Sequence, residues 1–278
     1  MLTVRYVASY PAPLRLVIFL FILAGLWLPL ALPISLVISD RNLATILTMG
    51  LLFLDFLLLL QFWGKNVYQQ PQLLKTYGLE ATLQNSKDLL IGLLIGWLLV
   101  FSLFFLQRIL GWIEWQPSPH FLPKIALEGL LSALGISFAE ELVFRGWLLD
   151  ELQRDYSRHT SLWVNAAIFA IAHFLKPPSE ILRTFITFPA LFLLGLTLVW
   201  AKRGRLGLLG LPIGLHAGLV WGYYIINIGH LVQYSPKVPQ WLTGIDRNPL
   251  ASLTGLLFLS ALALFMYKLA RQNQPSTL

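Results

Sequence analysis

Three ionisable residues crowd one short apolar stretch of the chain. In SFAEELVFRGW (137–147) Glu140 and Glu141 stand side by side, and Arg145 follows four residues after Glu141. An ionisable group near a bilayer centre costs roughly 2.5–3.5 kcal/mol on insertion scales, so three within six residues need partners or a wet cavity. On a helix Glu141 and Arg145 are i,i+4 neighbours that can pair, while Glu140 projects about 100° away, over Phe144. This geometry leaves Glu141 neutralised and fixed, and Glu140 free to face a cavity. The plain alternative is an inert ion cluster at the end of a span.

Two further polar sites lie in apolar runs. NAAIFAIAH places Asn165, Phe169 and His173 at i, i+4 and i+8, one stripe on a helix. LPIGLHAGLVWGYY places His216 between Gly214 and Gly218, small residues that permit close helix approach. Taken singly, each histidine reads as a hydrogen-bonded packing residue. Taken with Glu140, the set suits hydrolysis. A carboxylate in a low-dielectric site is a good general base for water, and imidazoles can orient that water, bind an oxyanion or protonate a leaving amine. Glu140, His173 and His216 could equally hold Zn with a position open for water. The H-E-x-x-H spacing of zincins is absent, as are any cysteine and the G-x-S-x-G elbow of serine hydrolases. Hydrolysis inside the membrane is common to both schemes.

Membrane-spanning helices must position these residues. The chain has 278 residues, is 57% hydrophobic and only 12% charged, with a mean hydropathy of +0.70. Soluble domains carry about twice that charged share, about 25%. The expected fold is therefore an all-α, polytopic membrane helix bundle of about eight transmembrane helices, near 14–38, 43–63, 88–110, 124–149, 161–176, 183–201, 206–229 and 248–268. The first run is too long for a signal-peptide core and reads as a retained anchor, bent at Pro29 and Pro33. The net charge of +7 is assigned to cytoplasmic loops rather than to nucleic-acid binding. With the N-terminus inside, twelve of the 20 basic residues fall on the cytoplasmic side and seven on the other, which favours both termini in the cytoplasm.

Counted from the cytoplasmic ends of these spans, Glu140, His173 and His216 lie about 14, 18 and 15 Å deep at 1.5 Å per residue, so three helices bring them to one level. Three regions follow. Residues 1–120 hold three peripheral spans and an amphipathic cytoplasmic connection (64–87). Residues 124–230 hold the polar core, and 248–278 the last span and a cytoplasmic tail. The Pro-rich QPSPHFLP (116–123) is a soft boundary inside one bundle.

At these residues the sequence resembles the CAAX-prenyl-protease and bacteriocin-processing (CPBP) family of intramembrane proteases, the Ras-converting-enzyme type. The motifs read EELVFR (140–145), FAIAH (169–173) and HAGLV (216–220) against E-E-x-x-x-R, F-x-x-x-H and H-x-x-x-N. The resemblance implies that Glu140 activates water with His173 assisting, that Glu141 and Arg145 hold the site in shape, and that His216 helps bind the oxyanion. It leaves open a zinc metalloprotease or a metal-free glutamate mechanism. The expected partners are the lipid bilayer and a peptide or membrane-protein substrate, lipidated or not. One departure is Val220, where the family has a polar residue; loss of one oxyanion donor costs on the order of 10²–10³ in rate. Asn165 is a candidate substitute. An alternative is a proteolytically weak member serving as a membrane scaffold or immunity-type protein. A third reading, a transporter with Glu140 as proton relay, lacks the inverted pair of broken spans it calls for.

Overall fold

In lipid a long apolar run satisfies its backbone by forming a helix. The computed structural model, which describes residues 2–273, is helical along nearly all such runs. The tail expected beyond the last span lies, from residue 274 on, outside the described residues.

Among the described residues seven helical stretches are long and apolar enough to cross a bilayer. They are α1 (Ala12–Val37), α2 (Arg41–Asn66), α3 (Leu83–Ile109), α4 (Leu122–Asp155), Pro178–Arg203, α8 (Gly210–Ile228) and α9 (Leu253–Gln272). The expected fifth span is a 15-residue helix, α5 (Arg158–Ala172), about 22 Å long and not among these seven. Two prolines, Pro177 and Pro178, follow it and start the short α6 (Pro178–Thr184), which leads into α7 (Phe188–Arg203). The chain is thus an all-α, polytopic membrane bundle, with the fifth expected span formed by a helix of 15 residues. Helix α1 runs through Pro29 and Pro33 without a break.

The chain divides into two compact units. One holds the chain up to Thr76 together with Asp150–Tyr156. In it, buried Arg15 near the start of α1 meets Glu151 (2.9 Å) and Asp155 (3.2 Å) at the end of α4. Tyr68 donates to Glu151 Oε2 at 2.7 Å. Burial and the neighbouring Glu151 carboxylate push this phenol above its ordinary range, so it keeps its proton and remains a donor.

The other unit holds Tyr77–Leu149 and the described chain from Ser157 onward. Its core joins α5, α7, α8 and α9 through Phe169, Leu194, Leu198, Leu215, Leu262 and Met266. Helix α3, expected among peripheral spans, instead packs along a whole face of α8. The reason is a row of small residues on both helices. A Cβ added to Gly214 would lie 2.0 Å from Leu89 O, and one at Gly218 2.2 Å from Leu93 O. The backbones touch, a packing that only glycine permits. Asn85 of α3 also accepts from Gly210 N (2.6 Å), capping α8 from outside. At the far end of these helices β1 (Ile113–Trp115) and β2 (Val232–Tyr234) pair antiparallel, with Ile113 opposite Tyr234.

Candidate active site

Because Gly214 and Gly218 turn one face of α8 to α3, His216, two residues from each and about 200° round the helix, points the opposite way. There its Nδ1 lies 2.9 Å from Glu141 Oε1. The same carboxylate oxygen accepts from Arg145 Nη1 at 2.9 Å, and Glu141 and Arg145 are both fully buried. The pair expected from the i,i+4 spacing is therefore present and also anchors a histidine. Arg145 is further held by Gly195 O, at 3.3 Å from Nη2, and by the Phe169 ring 4.1 Å beneath its guanidinium. Phe169 thus supports the cluster from below.

Helix α4 is not regular here. Its α-helical part ends at Glu141, a π-helical turn occupies Leu142–Leu148, and α-helix resumes at Leu149. Such widened turns are frequent at functional sites. Two side chains brace this one. Asn165 Nδ2 donates to Phe144 O at 2.7 Å, and Lys202 Nζ donates to Arg145 O at 2.6 Å. Asn165 is completely buried and absent from the cavity wall, so it is a brace for α4 and not a substitute at the position of Val220.

Glu140 stands in the last α-helical turn before the π segment. Its Oε2 lies 3.9 Å from His173 Nε2 and 4.0 Å from His216 Nε2. That oxygen is buried and has no hydrogen-bond partner among the described residues. His173 does not sit within its helix as the stripe with Asn165 and Phe169 implied; it caps the C-terminus of α5. Its Nδ1 lies 2.8 Å from Phe169 O, so it donates there as N–H. The Nδ1 of His216 likewise donates to Glu141. In their neutral forms both imidazoles therefore turn unprotonated Nε2 atoms toward Glu140.

These three groups open onto a cavity of about 260 Å³. The rest of its wall is overwhelmingly apolar, with Leu99, Leu103, Ile136, Leu191, Leu219 and Phe258 among its members. Val220 is part of the wall. So are Tyr223 and Asn248, which the sequence reading passed over. Asn248 lies in a loop before α9, away from the three motifs. The only sequence signal there is a turn-forming TGIDRNP that precedes the last apolar run.

A deeply buried Glu–Arg–His cluster and a carboxylate facing two imidazoles thus lie inside the apolar helices of a multi-pass membrane protein. Residues 122–222 match the family described as type II CAAX prenyl endopeptidase Rce1-like. The match spans α4 to α8 and contains Glu140, Glu141, Arg145, His173 and His216, and over these residues the chain is similar to that family. No curated protein and no solved structure matches the chain.

Proposed function

We propose that the chain is an intramembrane endopeptidase in which Glu140 activates the attacking water. The observation that carries this reading is the convergence of Glu140 Oε2 and two imidazole Nε2 atoms at 3.9 and 4.0 Å, at the wall of an apolar cavity. Separations near 4 Å are too long for direct hydrogen bonds and suit one water bridging the groups. A tetrahedral zinc with bonds of 2.0–2.2 Å would draw the same atoms to about 3.4 Å. A metal-free water therefore fits this donor set better than zinc.

In the proposed reaction Glu140 takes a proton as the water oxygen bonds to the scissile carbonyl carbon. His173, its Nδ1 engaged by Phe169 O, orients the water through Nε2. His216, when protonated, offers Nε2–H to the developing oxyanion, and Glu141 stabilises the resulting imidazolium through Nδ1. Collapse of the tetrahedral intermediate breaks the C–N bond. The proton held by Glu140 passes to the leaving amine. Arg145 holds Glu141 in place through its ion pair.

The cavity wall favours an apolar peptide, such as a lipidated C-terminus or a segment of a membrane protein. With an even number of crossings, as in the eight-span reading, the excess of twelve basic residues against seven supports both termini facing the cytoplasm. Within the N-terminal unit the start of α1 and the end of α4 share one side, as that orientation requires.

A second reading rests on Val220, whose side chain puts an apolar group on the wall where an oxyanion donor is expected. In that reading the cavity binds a partner segment without cutting it. Purified protein in liposomes with quenched apolar peptides, prenylated and unprenylated, separates the two. Cleavage that is lost in Glu140→Ala and His173→Ala supports the enzyme, whereas binding without cleavage supports the scaffold. Loss of activity on chelation, restored by zinc, would overturn the metal-free assignment.

A further inference from the structure

We infer that Asn248 supplies the substrate-directed hydrogen-bond donor that this chain lacks at Val220. The inference rests on the peptidase reading above and deepens it. Val220 lines the cavity together with Glu140, His173 and His216, so its loss of polarity falls on the wall that a substrate meets. Asn165 cannot replace it, because its amide is spent on Phe144 O. Asn248 lines the same cavity from the opposite side of the sequence, in the loop before α9. Its Oδ1 accepts from Leu250 N at 3.0 Å. That bond fixes the amide plane, while Nδ2 donates to no described residue. A fixed amide with both N–H bonds unspent, on a largely apolar wall, is suited to a peptide carbonyl.

The loop is built to deliver this side chain. Gly244 at φ 113°, Asp246 at φ 54° and Arg247 at φ 62° reverse the chain in the left-handed region, which Asp and Arg rarely adopt. An ion pair between Asp246 and Arg183 ties the loop to α6. Pro249 O approaches Gly255 so closely that an added Cβ would sit 1.9 Å from it. Strained positions held by several contacts are characteristic of functional sites. Tyr223, the remaining polar candidate on the wall, packs its ring against the cluster of Val100, Phe104, Ile113 and Ile226, and Tyr223→Phe tests its hydroxyl directly.

The test measures peptide cleavage by wild type, Glu140→Ala, Asn248→Ala, Asn248→Asp, Tyr223→Phe and the double variant Asn248→Ala/Val220→Asn, with a thermal melt for each. Asn248→Asp keeps the oxygen that caps Leu250 and removes the donor while adding a carboxyl group to the wall, and Asn248→Ala removes the donor without adding charge. The inference predicts a fall of about tenfold or more in kcat/KM for Asn248→Ala and Asn248→Asp with unchanged melts. It also predicts recovery in the double variant, which restores a polar side chain at 220. Wild-type activity in both Asn248 variants, no recovery with Val220→Asn, or a matching loss in Tyr223→Phe alone would overturn it. If wild type does not cleave, or if cleavage persists in Glu140→Ala, the reading of a Glu140-dependent peptidase fails instead, and the two failures are distinguishable.

Discussion

Replacing Gly214 by alanine tests whether the α3–α8 contact sets the geometry of the polar cluster. The added Cβ would stand 2.0 Å from Leu89 O and 2.8 Å from Leu93 N, both backbone atoms that no rotamer change can move. Cβ contacts below 3.0 Å are not found, so the helices must part by at least 1 Å. The displacement drives α8 away from α3, along the direction in which His216 faces Glu141 and Glu140. A misplacement of this size costs on the order of 10²-fold in rate, and overpacking costs about 1–3 kcal/mol of stability. Gly135→Ala is the control: a Cβ there meets nothing within 4 Å, and alanine favours the helix. Peptide cleavage by both variants in liposomes, with detergent melts alongside, gives the answer. Gly214→Ala within twofold of wild type would refute the argument that the glycine face places His216.

Arg145→Leu leaves Glu141 buried without its cation and should lower stability by about 3–5 kcal/mol; adding Glu141→Gln should recover part of that loss in a thermal melt. Equal melts for the single and double variants would show that the pair does not carry the cost. Asn165→Leu removes the bond to Phe144 O and should destabilise by about 1 kcal/mol while leaving the cavity wall intact. A tenfold change in KM there, with the melt unaltered, would contradict a purely bracing role. The chain contains no cysteine, so single cysteines report sidedness directly. Lys237→Cys should react with an impermeant maleimide from outside intact cells and Leu206→Cys only after permeabilisation, and the reverse pattern would invert the proposed orientation.

The Glu141–Arg145 pair was legible in the sequence because i,i+4 spacing fixes it locally. The meeting of Glu140, His173 and His216 was legible because each is an ionisable group that an apolar helix would not otherwise tolerate. The π turn was not, since nothing in LVFRGWL signals it. Its bracing bonds come from Asn165 and Lys202, 21 and 57 residues from the carbonyls they meet. The end of α5 was also hidden, because Phe174 and Leu175 prolong the apolar run past the residue where the helix stops. Helix α3 looked peripheral because its glycines, Gly92 and Gly96, acquire meaning only once paired with Gly214 and Gly218 across the contact. Asn248 carried no pattern at all; a loop with left-handed Asp246 and Arg247 brings it to the wall.

The most direct test of the central claim is the ratio of kcat/KM between wild type and Glu140→Gln on one peptide in liposomes, at equal folded protein. Gln keeps the shape of Glu140 but cannot take a proton from water. A loss of about 10² or more, with the melt unchanged, is the result expected of a general base. Cleavage by Glu140→Gln at the wild-type rate would contradict the account.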